Sequence, residues 1–364
     1  MKTSEVPGRA TARSGGLARI AGSFQFDGPR HGAVVVLVAV LVFAALRYDR
    51  FYSPFHVKAF LSSTDVVCIG LIAIGMTFVI SLGEIDLSVA GTAVLASIVA
   101  AMLAPHGLAV TLAGAVAVGF VVGAVNGSLI ALLELPSFIV TLAALLALKG
   151  LALILSGNDK IPVDFGTQLV TFYDGSLGQV VPYPFLVLLA VFLVAWVAYS
   201  FRAFGRHVLA IGGNRLAAEL MGLRVARSRF TAFLITGSVA GLAGAFLTAK
   251  TTSGNPLEAT GWELNVIAAV VLGGTLLTGG RGSVPASLVG VLLLASVFEV
   301  LNFENGQGAL TIDSNWQNVV RGLFLLLIMV VQAGITMRGE HLQRRRIRDQ
   351  LAVARPIRPV ADSG

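Results

Sequence analysis

Residues 109–132 read AVTLAGAVAVGFVVGAVNGSLIAL, a run of twenty-four residues without one charge. As a helix rising 1.5 Å per residue it is about 36 Å long, enough to cross the ~30 Å hydrocarbon core of a bilayer. A soluble helix of this length would show a charged face, and this one has none. In lipid the backbone must satisfy its own hydrogen bonds, which a helix does within the segment. Gly119, Gly123 and Gly127 recur every fourth residue and so share one helix face. Gly237, Gly241 and Ala245 repeat the spacing. Such stripes let two helices approach closely in lipid. The spacing fits either packing within one subunit or subunit dimerisation.

The rest of the chain has the same character. Of 364 residues, 56% are hydrophobic and 12% charged, where a soluble domain carries about 25% charged residues. The mean hydropathy is +0.85. At about 20 apolar residues per span, the chain has material for about ten spans. Breaking the apolar runs at Gly, Pro and charges places them at 32–47, 62–82, 88–104, 109–132, 137–156, 183–201, 229–249, 264–278, 284–301 and 319–337. The expected fold is an all-α polytopic membrane bundle. Its transmembrane domain is 32–337, between a basic segment 1–31 and a basic tail 338–364. The first thirty residues lack the short apolar core and cleavage site of a signal peptide.

Ten spans put both termini on one side, and basic residues mark the cytoplasmic one. Of the 26 Lys and Arg, 19 then fall inside, 5 fall outside, and Lys149 and Arg321 fall within spans. The long loop 202–228, with Arg202, Arg206, Arg215, Arg224 and Arg227, passes this test independently. The net charge of +7 is therefore a membrane-topology signal and implies no nucleic-acid partner. Loops 48–61, 105–108, 157–182, 250–263 and 302–318 are assigned outside, with Tyr48, Phe51 and Tyr52 as interfacial anchors. Cys68 is the only cysteine, so no internal disulfide forms.

Several chemistries are missing. No Gly-Lys pair occurs, so there is no P-loop for ATP. His31, His56, His106, His207 and His341 lack metal-ligand spacing. No Gly-x-Ser-x-Gly elbow is present. The chain is expected to be no enzyme and to hold no cofactor or metal.

Three features stand out against the apolar background. In Gly83-Glu84-Ile85-Asp86-Leu87-Ser88, two carboxylates interrupt apolar runs, where charge at membrane depth is costly and often functional. Asp86 or Ser88 either caps the next helix or serves gating or subunit contact. A faint likeness links 83–100 with 279–296, each a Gly-containing turn entering an apolar span. Between Asn214, a good N-cap, and Gly222, a good C′ residue, lies a two-turn helix. Its stripe pairs Leu216 with Leu220 and Ala217 with Met221. A helix this short must pack on something, either the membrane surface or a cytosolic partner. Lys149 and Arg321 either snorkel or pair with carboxylates, or line a polar pathway.

Taken together, these stretches resemble the permease subunits of ribose-type, monosaccharide ABC importers, a binding-protein-dependent transport family. The residues that carry the resemblance are Gly-x-Ile-Asp-Leu-Ser at 83–88, Asn126-Gly127, the run Pro136 to Leu142 with Thr141, Gly205-Arg206, and Gly212-Gly213-Asn214. Glu263-Leu264-Asn265, Leu272-Gly273-Gly274, Gly279-Gly280-Arg281 and Trp316-Gln317 follow in order. It covers about 55–337. Two positions depart from the family pattern: Glu84 stands where it has Gly, and Asn265 where it has Asp. The resemblance implies a sugar-translocating subunit of the bacterial inner membrane. It also implies a second permease copy or related chain, a periplasmic sugar-binding protein, and a cytoplasmic ATPase that holds ATP and Mg. The family's coupling helix maps onto Asn214–Gly222, with Arg215, Leu216, Ala217, Glu219, Leu220 and Met221 between. Glu84, Asp86, Ser88, Asn126, Thr141, Lys149, Glu263, Asn265, Trp316 and Gln317 are the gating or pathway candidates. A branched-chain amino-acid permease is the nearest rival. An ion-coupled secondary transporter is disfavoured, because Glu84, Asp86, Glu134 and Glu263 fall near span ends rather than at the midplane.

Overall fold

A computed structural model of the chain describes residues 28–306 and positions 319, 322, 323, 326 and 330. The tenth expected span, and Trp316, Gln317 and Arg321, lie outside the described residues, those isolated positions apart. So do the two basic ends, residues 28–30 apart.

In chain order the helices are α1 (Gly28–Arg47), α2 (Pro54–Leu61), α3 (Thr64–Ser81), α4 (Val89–Leu103), α5 (Leu108–Ala131) and α6 (Ser137–Ser156). They continue with α7 (Gln168–Asp174), α8 (Tyr183–Ser200), α9 (Ala203–Gly213), α10 (Arg215–Leu220), α11 (Val225–Thr251), α12 (Trp262–Leu272) and α13 (Val284–Gly306). Among the described residues, seven helical stretches are long and apolar enough to cross a membrane, α2 and α3 counting as one. The stretch Gly32–Arg47 of α1, and α12, are apolar but shorter. The chain is an all-α, multi-pass membrane protein.

The apolar run expected at 264–278 does not form one helix. The hydrogen bonds from the Gly274 N–H to the Val271 carbonyl and from the Thr275 N–H to the Val270 carbonyl close α12. Residues 273–283 then cross to α13 as turns. The glycine-rich stretch after Leu272 ends the helix sooner than hydropathy alone suggests.

The centre of the bundle is α3, in which every residue from Val66 to Ser81 is buried. By contrast, only 22% of the apolar windows of α5, α6 and α8 are buried. Lipid is as apolar as a protein core, so burial alone does not draw helices together there, and close packing must. The two glycine stripes show how. α5 and α11 run antiparallel with Gly119 and Gly123 against Gly237 and Phe233, Gly127 against Phe230, and Gly241 against Ala115. A Cβ added at Gly119 would overlap the Gly237 carbonyl. The stripes therefore lie face to face within one chain.

The loops sort to two ends. At one end, β1 (Ile161–Pro162) pairs antiparallel with β4 (Ser253–Gly254), and β2 (Ser176–Leu177) with β3 (Val181–Pro182). There Gln168 Oε1 accepts from the Leu108 N–H at 3.0 Å, and the Tyr173 hydroxyl donates to the Ser62 carbonyl at 2.7 Å. The segment 157–182, expected as an ordered external loop or a short helix lying on the surface, contains the short helix α7, whose Leu169, Val170 and Tyr173 are buried. Of the three expected interfacial anchors, only Tyr52 is exposed. Tyr48 and Phe51 turn inward onto Phe303. At the other end lie the turns 82–88, 132–136 and 273–283, together with α9 and α10.

Candidate functional site

Five of the candidates, Glu84, Asp86, Ser88, Asn126 and Thr141, come together at this second end, around the turn between α3 and α4. The turn begins with a helix closure that requires a left-handed residue: Gly83 has φ +79°. The Gly83 N–H bonds the Ile80 carbonyl at 2.9 Å and the Glu84 N–H bonds the Val79 carbonyl at 3.1 Å, the Schellman pattern. Two residues on, Asp86 is buried and its Oδ1 accepts from the Ser88 N–H at 2.9 Å and the Ser88 hydroxyl at 2.6 Å. Asn126 Nδ2 of α5 donates to the same hydroxyl at 2.9 Å. Asp86 thus satisfies one backbone N–H at the entry to α4. The Ser88 side chain does not cap the helix, because its hydroxyl is engaged by Asp86 and Asn126. Burial pushes the Asp86 carboxyl up from 3.8 to about 6, against the pull of the two Ser88 hydrogen bonds.

The same turn is tied to α6. Ser137 Oγ accepts from the Ile85 N–H at 3.3 Å, and the Thr141 hydroxyl reaches the Ile85 carbonyl at 3.4 Å. Glu84 points the other way and forms an ion pair with Arg229 of α11. The two faintly similar segments meet here: Gly279 lies against Gly83, and the Gly280 N–H donates to the Ser81 carbonyl at 3.0 Å. Gly212 at the end of α9 sits against Ser81 and Gly280 so closely that a side chain there would collide with backbone. Gly205 is equally close to the Tyr199 backbone, while Arg206 is exposed.

α10 stands beside this cluster. Asn214 Oδ1 accepts from the Ala217 N–H at 3.0 Å, and Gly222, at φ +78°, closes the helix. It is six residues long. Arg215 bridges Glu219 and, across to the turn between α5 and α6, Glu134, both at 2.9 Å. The hydrogen bond that Arg215 donates to Glu219, then the nearby charge of Glu134, raise the Arg215 pKa further. Ala218 is the buried side chain that seats α10. The apolar stripe does not pack within the chain: Leu216, Leu220 and Met221 are 67%, 82% and 70% exposed.

The remaining candidates do not join the cluster. Lys149 is half-buried on α6. Glu263 and Asn265 are half-buried on α12, and Glu263 Oε2 is a buried oxygen without a hydrogen-bond partner. Sequence reasoning missed Arg229 as a partner of Glu84, Ser137 as an anchor of the turn, and the His56–Glu299 pair at 3.5 Å at the opposite end. Arg229 carried a signal in being a cation at the edge of an apolar run, but spacing does not reveal a partner 145 positions away.

Comparison with known proteins assigns the family. A family model described as branched-chain amino acid transport system, permease component, matches residues 59–329. The L-arabinose ABC transporter permease protein AraH of Azospirillum brasilense is 37% identical over 305 residues, covering 83% of this chain and 86% of that one. The ribose import permease protein RbsC of Bacillus subtilis is 35% identical over 84% of this chain and 94% of its own length. RbsC of Escherichia coli K12 is 33% identical over 82% and 91%. No solved structure matches the chain. On matches that span most of its length, the chain belongs to the family described as branched-chain amino acid transport system, permease component, and within it is similar to the sugar ABC permeases, as the sequence resemblance implied.

Proposed function

We propose that the chain is the membrane-spanning permease subunit of an ATP-driven, binding-protein-dependent ABC importer of the bacterial inner membrane, carrying a monosaccharide or related polyol. The family description names branched-chain amino acids, but the relatives that align along most of the chain are arabinose and ribose permeases, which favours sugar. In this reading both termini are cytoplasmic, as the basic residues require, and two permease copies or related chains frame the pathway. A periplasmic protein delivers the sugar.

The observation that carries the coupling role is α10. Leu216 and Leu220, with Met221 just past the end, stand bare on a short helix that is itself fixed by a side-chain cap, a buried alanine and two ion pairs. A rigid platform with an apolar crest suits a cytoplasmic ATPase, which would hold ATP and Mg itself. The polar turn 83–88 lies at the same end, so movement of α10 can reach the ends of the pathway helices.

The test is Leu216→Asp and Ala218→Pro, scored on the same membranes for abundance, ATPase co-purification and uptake of labelled monosaccharides. Leu216 is exposed, so the charge should leave insertion unchanged while placing a carboxylate in the apolar contact. Proline at 218 removes the N–H that bonds the Asn214 carbonyl at 3.0 Å and costs about 3 kcal/mol. Loss of both co-purification and uptake is expected. Normal values of both would leave α10 a membrane-surface helix with no coupling role.

A further inference from the structure

The charges of Glu84 and Arg229 meet where two helix closures come together. Arg229 Nη2 donates to Glu84 Oε1 at 2.5 Å, with side chains 6% and 16% exposed. Glu84 supplies the last backbone bond of the α3 closure, so its position is locked to the end of the central helix. Arg229 stands in the first turns of α11, nine positions after Leu220. The connection from α10 is itself tightly closed. The Gly222 N–H bonds the Glu219 carbonyl at 2.9 Å, Leu223 bonds Ala218 at 3.0 Å, and Val225 bonds Leu223 at 2.9 Å. The ion pair therefore joins two stiff units, α10 with the start of α11 and the end of α3 with the turn 83–88.

That turn is also held by Asn126 of α5 and by Ser137 and Thr141 of α6, so a pull on Glu84 is shared among the helices around it. The pair is also incompletely satisfied. Arg229 Nε and Nη1 are buried without a hydrogen-bond partner, and buried donors left unmet are unfavourable. A shift of α11 against the turn that brings a further acceptor to the guanidinium would lower that cost.

We propose that Glu84–Arg229 is the positioning link through which displacement of α10 is passed to the turn 83–88 and to the ends of α3 and α4. The proposal rests on α10 being the ATPase-docking helix. The competing account is an ion pair that only stabilises the fold. The two accounts separate because a buried ion pair is often replaceable by apolar side chains of similar size without loss of stability, whereas removal of one partner alone is damaging.

The experiment uses the full chain with its ATPase and binding protein in membranes, and reads abundance, ATPase co-purification, and sugar carried per ATP hydrolysed. Glu84→Gln is expected to keep co-purification and to lower sugar carried per ATP by about tenfold, within the range of typical coupling energies. Glu84→Met with Arg229→Met should restore abundance but not coupling. The reversed pair, Glu84→Arg with Arg229→Glu, should recover part of it. A double-methionine variant with normal sugar carried per ATP would overturn the link. If that variant does not accumulate, the reversed pair decides: coupling no better than in Glu84→Gln overturns the link. Leu216→Asp, run alongside, separates the two failures. Normal uptake in Leu216→Asp sinks the reading of α10. Lost uptake there with normal coupling in the double-methionine variant sinks only the link.

Discussion

Asp86 shows what a single buried carboxylate can report. It lies in a turn outside the spans, and its ordinary value of 3.8 is raised to about 6 by burial. The fold therefore favours the protonated form. The stabilisation that this gives is fully present below pH 3.8 and is lost as pH rises through about 6. A shift of about two units corresponds to about 3 kcal/mol. The protein in detergent should thus resist heat better at pH 5 than at pH 7.5, and Asp86→Asn should narrow that difference. The amide Oδ1 keeps both Ser88 hydrogen bonds and carries no charge. An unchanged pH dependence in Asp86→Asn would show that another group sets it. Asp86→Ala, which strips Ser88 of its acceptor, should cost about 1–3 kcal/mol. The sequence marked Asp86 as unusual because carboxylates are rare between apolar runs. It could not show that Asn126, on another helix, completes the hydrogen-bond chain.

At the scale of elements, the contact between α5 and α11 was legible as two glycine stripes, but not as one contact. Four-residue spacing defines a face and says nothing about what that face meets. The structure shows that Gly119 and Gly237 bring two backbones together, so what a new side chain would meet is carbonyl rather than a flexible chain end. Overpacking a core commonly costs about 1–3 kcal/mol, and backbone yields less than side chains do. Gly119→Leu should accordingly lose most of the monodisperse protein recovered from detergent. Gly150→Ala is the control: nothing lies within 4 Å of an added Cβ, and alanine is the better helix former by about 0.5–1 kcal/mol. Equal recovery of both variants would contradict close packing between α5 and α11. α10 was legible for a different reason. Its cap and its closing glycine are local in sequence, and local signals survive without tertiary knowledge. The direction of its apolar side chains was not local, since it depends on Ala218 taking the inward position.

Over the whole molecule, composition and apolar run length disclosed the membrane bundle, because lipid imposes length and polarity on every span. Hydropathy overran at 264–278, where glycines end α12 early, since a window of apolar residues does not register a turn. The function was legible mainly through motifs at span ends, which hold the polar groups that the spans themselves exclude. Partners 145 positions apart, such as Glu84 and Arg229, needed the fold. The central claim is that a separate ATPase drives sugar through this chain, and its energy source tests that most directly. Proteoliposomes containing the chain with its ATPase and binding protein should take up labelled monosaccharide when ATP is supplied, and should continue when the proton gradient is collapsed. Uptake by this chain alone, driven by an ion gradient and indifferent to ATP, would contradict the account.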